Sequence, residues 1–403
     1  MRVLQVNNYH RIVGGSDAVY FNTGQLLERN GHEVSWFAGA DDGNLPCKDS
    51  EFFPVALNMD EARVGDLFRY MHNSDAALAI ERLQQARGPF DLAHLHIYYG
   101  RLTASILEPL KKRGVPIVQS LHEYKLACPI YTLERDGAVC EKCVTGSSLN
   151  VLRHRCKGSL PRSIVAFAEY HASRWQGDVS KIDRFICVSG FQRQILLRYG
   201  IPEDKLEVLH NFVEPHKLKP ERAAVRDDYL LYFGRIEKLK GVDTLLQAVG
   251  KSGARLLIAG TGSWTEELKA KTADLPNVGY LGFVSGEPLK SLVAEARAVV
   301  VPSEWYENCP MSVIEAKAVG TPVIGARIGG IPELINDGID GFLFAPGDVG
   351  DLVDKIGRIE TADREAMSAA CEADVAARFS PQTHLSRLLQ IYADARSATK
   401  AVA

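Results

Sequence analysis

Two cations stand where a strand hands over to a helix: Arg235 in Phe233-Gly234-Arg235-Ile236, and Lys240 in Lys238-Leu239-Lys240-Gly241. An arginine fork and a lysine point charge beside the free N–H groups of a helix start suit a diphosphate. Solvated surface cations are the plainer reading of the pair taken alone. A second group follows an apolar run: Ser303-Glu304-Trp305-Tyr306-Glu307-Asn308-Cys309-Pro310-Met311-Ser312-Val313-Ile314-Glu315. Glu307 falls in the loop and Glu315 in the first turns of the next helix, where Ser312-x-x-Glu315 also fits a capping box. His122-Glu123-Tyr124 directly follows another apolar run, which puts an imidazole at a strand's carboxyl end. Ile258-Ala259-Gly260-Thr261-Gly262-Ser263 is glycine-rich after a strand, yet it is only part of a dinucleotide fingerprint. No acid ends the next strand at Leu281-Gly282-Phe283. The carboxylate that would hold a nicotinamide ribose is therefore missing, which argues against an oxidoreductase.

Four of the eight cysteines, Cys128, Cys140, Cys143 and Cys156, fall within 29 residues at the spacing C-x11-C-x2-C-x12-C. One Cys-x-x-Cys turn with two flanking cysteines permits a tetrahedral zinc site; free thiols or a disulfide also fit. The segment carries Gly137, Gly146 and Gly158 and little apolar periodicity, so a loop of that length needs something to order it.

These residues need strands and helices to hold them. A chain of 403 residues is too long for one compact core and suits two domains of about 200 residues each. With 46% hydrophobic and 24% charged residues, it has ordinary globular composition. No apolar run approaches 18 residues, and Met1–Asn7 reads as a strand rather than a signal peptide. A cytoplasmic protein with reduced thiols is expected.

Strands are expected at Arg2–Asn8, His32–Ala38, Phe90–His96, Pro116–His122, Arg184–Ser189 and Leu206–Asn211. A helix over Asp17–Asn30, capped by Ser16, follows the loop that carries Gly14 and Gly15. Helical patterns near 75–86, 101–113, 161–176 and 190–199 separate the other strands. The proline- and charge-rich stretch 212–228 reads as a linker. Strands resume at Tyr229–Gly234, Ala254–Ala259, Val278–Phe283, Ala298–Pro302, Pro322–Ala326 and Gly341–Ala345. Such alternation means parallel sheets covered on both faces. The expected fold is α/β, with two tandem doubly wound, Rossmann-like domains facing a cleft. Ligands in such sheets bind beyond the strands' carboxyl ends, where Arg235, Glu307, His122 and the loop carrying Gly260 and Gly262 fall.

Charge is unevenly spread. Residues 101–200 hold 16 Lys+Arg against 8 Asp+Glu, and the rest of the chain is net acidic. A basic face toward an anionic partner is one reading and chance clustering on a solvated surface the other. No motif for nucleic acid supports that kind of partner.

Together the residues resemble the retaining glycosyltransferases of family 4, also called group 1, which have the two-domain GT-B fold. The likeness rests on Gly234-Arg235 with Lys240-Gly241, Ala259-Gly260-Thr261-Gly262, Leu281-Gly282-Phe283, and Glu307-x7-Glu315 running into Ala316-Lys317-Ala318-Val319-Gly320-Thr321-Pro322. Gly329-Gly330-Ile331-Pro332-Glu333 and Asp337-Gly338-x2-Gly341 extend it. The resemblance is dense over 229–347 and looser before it, at Gly14-Gly15, Gly31-His32-Glu33-Val34 and His122.

It implies a nucleotide-diphosphate sugar as donor. Arg235 and Lys240 would hold the diphosphate, Glu307 the sugar hydroxyls and Glu315 the nucleotide ribose. Gly234, Gly260, Gly262 and the backbone of Cys309, Pro310, Met311, Ser312 and Val313 would line the donor site. Phe283 would touch the base, and His122 would stand by the sugar. Gly14 and Gly15 would let their loop approach donor or acceptor. Asn308-Cys309-Pro310-Met311 replaces the Phe-Gly that many members have after the first glutamate. No acidic metal-binding cluster accompanies these motifs, so no catalytic cofactor is expected, and the only metal expected is a structural zinc at the four cysteines. Domain limits would be 1–211 on the acceptor side, with a cysteine-bearing insertion at 126–160 and the returning C-terminal helix 381–403. The linker 212–228 and the donor domain 229–380 complete the chain. The expected acceptor is a lipid-linked or polysaccharide glycan, reached by peripheral contact with the inner face of an anionic membrane. The rival activities on such a fold are a nucleotide-sugar epimerase and a glycan phosphorylase.

Overall fold

The computed structural model describes residues 1–55, 64–221 and 227–402. Residues 222–226 of the expected linker lie outside the described residues. The first sheet contains β1 (Arg2–Val6), β2 (Glu33–Phe37), β3 (Leu92–Leu95), β4 (Ile117–Leu121), β7 (Arg184–Cys187) and β8 (Leu206–Val208). Between β4 and β7 the chain makes a small antiparallel hairpin, β5 (Glu134–Arg135) with β6 (Ala138–Val139). The second sheet contains β9 (Leu230–Phe233), β10 (Leu256–Ala259), β11 (Val278–Gly282), β12 (Ala298–Val301), β13 (Val323–Ala326) and β14 (Gly341–Phe344). Strand orders are β2-β1-β3-β4-β7-β8 and β11-β10-β9-β12-β13-β14. Both sheets are parallel throughout.

Strands covered on both faces read as continuous apolar runs. Ala298-Val299-Val300-Val301 is buried at all four positions. Its side chains alternate: Val299 and Val301 pack with Leu231 on one face, Ala298 and Val300 with Leu230 and Tyr232 on the other. The first sheet is built likewise, with Leu4, Val6, Leu95 and Ile117 on one face and Val3, Val34 and Val118 on the other. The helix Pro381–Val402 completes that second face with Leu388, Ile391, Tyr392 and Ala395. The chain thus leaves the second domain and returns to the first.

Two local expectations are corrected. The first helix spans Gly15–Arg29 with Gly14, not Ser16, as its N-cap. Asp17 takes over the capping: its Oδ2 accepts the N–H groups of Val13 (3.0 Å) and Gly14 (2.9 Å), and Oδ1 accepts Asn7 Nδ2 (2.8 Å). Lys240 does not open a helix; it ends the 3-10 turn Lys238–Lys240, and the helix begins at Val242. Gly241 between them has φ +70°, and a Cβ there would lie 1.8 Å from the Pro302 carbonyl oxygen. Only glycine fits a left-handed residue so close to another backbone. That contact seats Lys240 against the end of β12.

Candidate active site

Strand order reverses at β1/β3 in the first sheet and at β9/β12 in the second. Those switch points open crevices at the strands' carboxyl ends. Beyond β9 and β12, Lys240 Nζ donates to Glu307 Oε1 at 2.5 Å. Ser303 Oγ (2.8 Å) and Trp305 Nε1 (3.1 Å) donate to the same oxygen. Among the described residues no donor reaches Oε2. Burial alone would raise the Glu307 carboxyl, but the Lys240 charge and the three donors outweigh it and hold the pKa below the ordinary carboxylate value. Glu307 is therefore an oriented anion with one oxygen free for a ligand.

The other wall comes from the first domain. Asn308 Nδ2 donates to the His122 carbonyl at 2.9 Å, so the loop carrying Glu307 touches the end of β4. His122 stacks on His96 with ring centroids 5.2 Å apart, and His96 stacks on His94. Burial lowers the His122 pKa to about 4, so the ring is neutral at neutral pH. One assignment satisfies the whole chain of contacts. Tyr392 O–H donates to His94 Nδ1 (2.7 Å), and His94 Nε2–H to Ser120 Oγ (2.8 Å). His96 Nε2–H then donates to Gln5 Oε1 (3.1 Å), and His122 Nε2–H to His96 Nδ1 (2.9 Å). In that assignment His122 Nδ1 is left as an acceptor suited to a hydroxyl group.

The remaining expected residues divide. Arg235 does not converge with Lys240 and Glu307; its side chain is 66% exposed and pairs with Glu237 at 3.0 Å. Gly260 and Gly262 serve the protein's own backbone, since a Cβ would fall 1.9 Å from the Gly234 carbonyl and 2.2 Å from the Ile236 carbonyl respectively. Gly234 itself has φ +146°. Gly14 and Gly15 border open space, with nothing within 4 Å of a Cβ at either. Phe283 stands 75% exposed just beyond β11. Cys309 and Val313 are buried, and burial pushes the Cys309 thiol up to about 12. Pro310 is the N-cap of the helix Met311–Ala318, and no side chain caps it. The Ser312-x-x-Glu315 pattern therefore forms no capping box.

Burial pushes the Glu315 carboxyl up to about 7, and it has no hydrogen-bond partner among the described residues. Its folded pKa lies above the ordinary 4.5. The neutral form is thus the favoured one; its contribution to stability is full below about pH 4.5 and is lost as pH rises through 7. Glu315→Gln should therefore melt close to wild type at pH 4.5 and clearly above it at pH 8. Melting curves at the two pH values check this, and an equal gap at both would contradict it.

Three cross-cleft contacts had no signal in local sequence. Glu333 accepts the N–H groups of Gly190 (2.7 Å) and Phe191 (2.6 Å) at the start of the helix Gly190–Tyr199, together with His210 Nε2 (3.1 Å). These donors hold its pKa low against the burial that would raise it. Tyr306, beside Glu307, packs on Phe191 and donates to Glu141 Oε1 at 2.8 Å. Asn308 reaches His122, as described above.

The four clustered cysteines line one small cavity, although among the described residues no three His, Cys, Asp or Glu side chains yet stand close enough to hold a metal. The basic segment is partly neutralised: Lys111 pairs with Asp183, Lys125 with Glu169, Lys181 with Glu108 and Arg198 with Glu141. Among the described residues no helix is long and apolar enough to cross a membrane.

Two Rossmann-like domains facing across a cleft, with the Lys240–Glu307 pair beyond the switch point of the second sheet, define the GT-B architecture. The family model for Glycosyltransferase Family 4 matches residues 13–217, just over half of the chain, and that for Glycosyl transferases group 1 matches 214–373. The chain belongs to this family and is a glycosyltransferase. An uncharacterized glycosyltransferase of Methanocaldococcus jannaschii is 26% identical over 361 residues, covering 83% of this chain and 82% of its own. Sucrose-phosphate synthase of Thermosynechococcus elongatus has the same fold, with TM-score 0.72, 19% identity and coverage of 98% and 99% of the two chains. HepE of Anabaena, solved with UDP, superposes with TM-score 0.65, 16% identity and coverage of 97% and 99%.

Proposed function

We propose that this glycosyltransferase moves a sugar from a nucleotide-diphosphate donor to a hydroxyl acceptor, retaining the anomeric configuration without a catalytic metal. The observation that carries the reading is the Lys240–Glu307 pair beyond β9 and β12, facing His122 across the cleft. Breaking the anomeric bond places negative charge on the departing diphosphate and positive charge on the sugar. Lys240, with Arg235 swung in from the rim, offsets the first. Glu307 Oε2 and the neutral His122 Nδ1 accept hydrogen bonds from sugar hydroxyl groups and orient the sugar for attack on the face the diphosphate leaves. Glu315 takes the ribose, and the exposed Phe283 ring offers a face to the base. The UDP held by HepE is of the nucleoside diphosphate class that such a donor would release.

A lipid-linked or polysaccharide acceptor fits the first domain. The helix Leu160–Gln176 exposes Leu160, Ile164 and Trp175, with Phe68 exposed on the neighbouring helix Val64–Met71. Arg162 is exposed on the same helix, and Arg153 is exposed on the short helix Asn150–Arg153 that packs against it. Peripheral contact with an anionic membrane follows from such a face. The test of the reaction class is release of nucleoside diphosphate from nucleotide sugars, set against turnover of sugar phosphates. Turnover of sugar phosphates alone would favour a phosphorylase.

A further inference from the structure

Four cysteines spread over 29 residues border one small space. Cys128, Cys140, Cys143 and Cys156 line a single cavity of about 10 Å³ between the β5–β6 hairpin and the short helix Asn150–Arg153. That is space for one atom-sized guest, too little for an iron–sulfur cluster. None of the four is in a disulfide. The backbone N–H groups of Leu133 and Ile130 are directed at the Cys128 sulfur.

The backbone around the cavity is unusually constrained. Tyr131, Leu133, Asp136 and Arg155 all adopt positive φ, between 48° and 62°, and none is glycine. Such residues persist where surrounding contacts over-determine them. Ile130, Leu133, Val144 and Val151 join the domain core, so apolar packing supplies part of that constraint. It does not account for four cysteines bordering one small cavity.

We propose that the four cysteines close on one structural zinc ion, and that this ion fixes the Cys140–Cys143 turn against the cleft. Four thiolates around a single position are a zinc donor set. The turn carries Glu141, which accepts from Tyr306 and takes two further hydrogen bonds from Arg198, at 2.8 and 3.0 Å. Tyr306 precedes Glu307. The zinc is thus a positioning element for the catalytic loop across the cleft, remote from the reacting atoms.

Elemental analysis of the full chain, purified and dialysed in metal-free buffer, should give about one zinc per chain. Cys143→Ser should lose it. Zinc-stripped protein should keep its affinity for nucleoside diphosphate while its turnover falls several-fold. Absence of zinc in the wild type, iron in its place, or disulfides among these four cysteines would overturn the proposal without touching the transfer reading. Because the first measurement uses wild-type protein, a variant that failed to fold would leave it decisive. Zinc-free protein with wild-type turnover would overturn the positioning role.

Discussion

Lys240→Ala is expected to lower sugar transfer by about 100- to 1,000-fold, equivalent to about 2.7–4 kcal/mol of transition-state stabilisation. The amine lies 2.5 Å from Glu307 Oε1 and is only 16% exposed, so water cannot replace it cheaply. Its loss acts twice. The departing diphosphate loses a fixed cation, and Glu307 loses the charge that keeps its carboxylate ionised against burial. The acid limb of the pH–rate profile should therefore move upward in the variant. Nucleotide affinity should fall less than rate, because the diphosphate gains charge on the way to the transition state. Lys355→Ala is the control, since Lys355 lies on the helix Val349–Thr361 and pairs with Asp351 and Asp354, with no contact to Glu307 among the described residues. Equal affinity and rate in the two variants would remove Lys240 from the mechanism.

Lys317→Met is expected to cost about 3–5 kcal/mol of stability with little effect on nucleotide binding. Lys317 is wholly buried at the foot of the helix that carries Glu315. Its amine donates to the Leu334 carbonyl (2.7 Å), Asp340 Oδ2 (2.8 Å) and Asp374 Oδ2 (2.5 Å). Asp374 keeps a second cation in Arg378, but Asp340 is fully buried and has no other among the described residues. Asn336 donates to Asp340 through its backbone N–H (2.9 Å) and side-chain amide (2.6 Å), which does not neutralise the charge. The transition of the second domain should drop by roughly 6–20 °C. Adding Asp340→Asn to Lys317→Met should recover part of the loss, because the uncompensated charge is then gone. A single variant within about 1 kcal/mol of wild type would show that the buried pair is not holding this helix.

The alternation of apolar runs located twelve strands because parallel strands buried on both faces leave a simple pattern in sequence. Their ends located Lys240, Glu307 and His122 for the same reason, since loops after strands face the crevice. What the pattern could not carry is pairing at long range. Glu333 with Gly190, Glu141 with Tyr306 and Asn308 with His122 are 143, 165 and 186 residues apart. No local spacing encodes such contacts. Lys317, in Ala-Lys-Ala-Val-Gly, reads as an exposed helical lysine, and only the two distant aspartates make its burial tolerable. Ser16 looked like the cap because serine favours that position, yet the helix starts earlier and Asp17 reaches back to the N–H groups of Val13 and Gly14 with a full charge. Arg235 was paired with Lys240 by proximity in sequence. In the fold, the adjacent Glu237 holds its guanidinium at the rim.

The central claim is that Glu307, held by Lys240, orients and serves the transfer of a sugar from a nucleotide diphosphate. The direct measurement is nucleoside diphosphate release from UDP-, GDP- and ADP-sugars, with water as acceptor, by wild type and by Glu307→Gln. Nucleotide affinity and melting temperature are recorded for both. Wild type should cleave at least one of these donors. The Gln variant should bind the same nucleotide and melt near the wild-type temperature, yet release product about 100-fold more slowly or worse. Full activity in the Gln variant, or cleavage of sugar phosphates with none of the nucleotide sugars, would contradict the account.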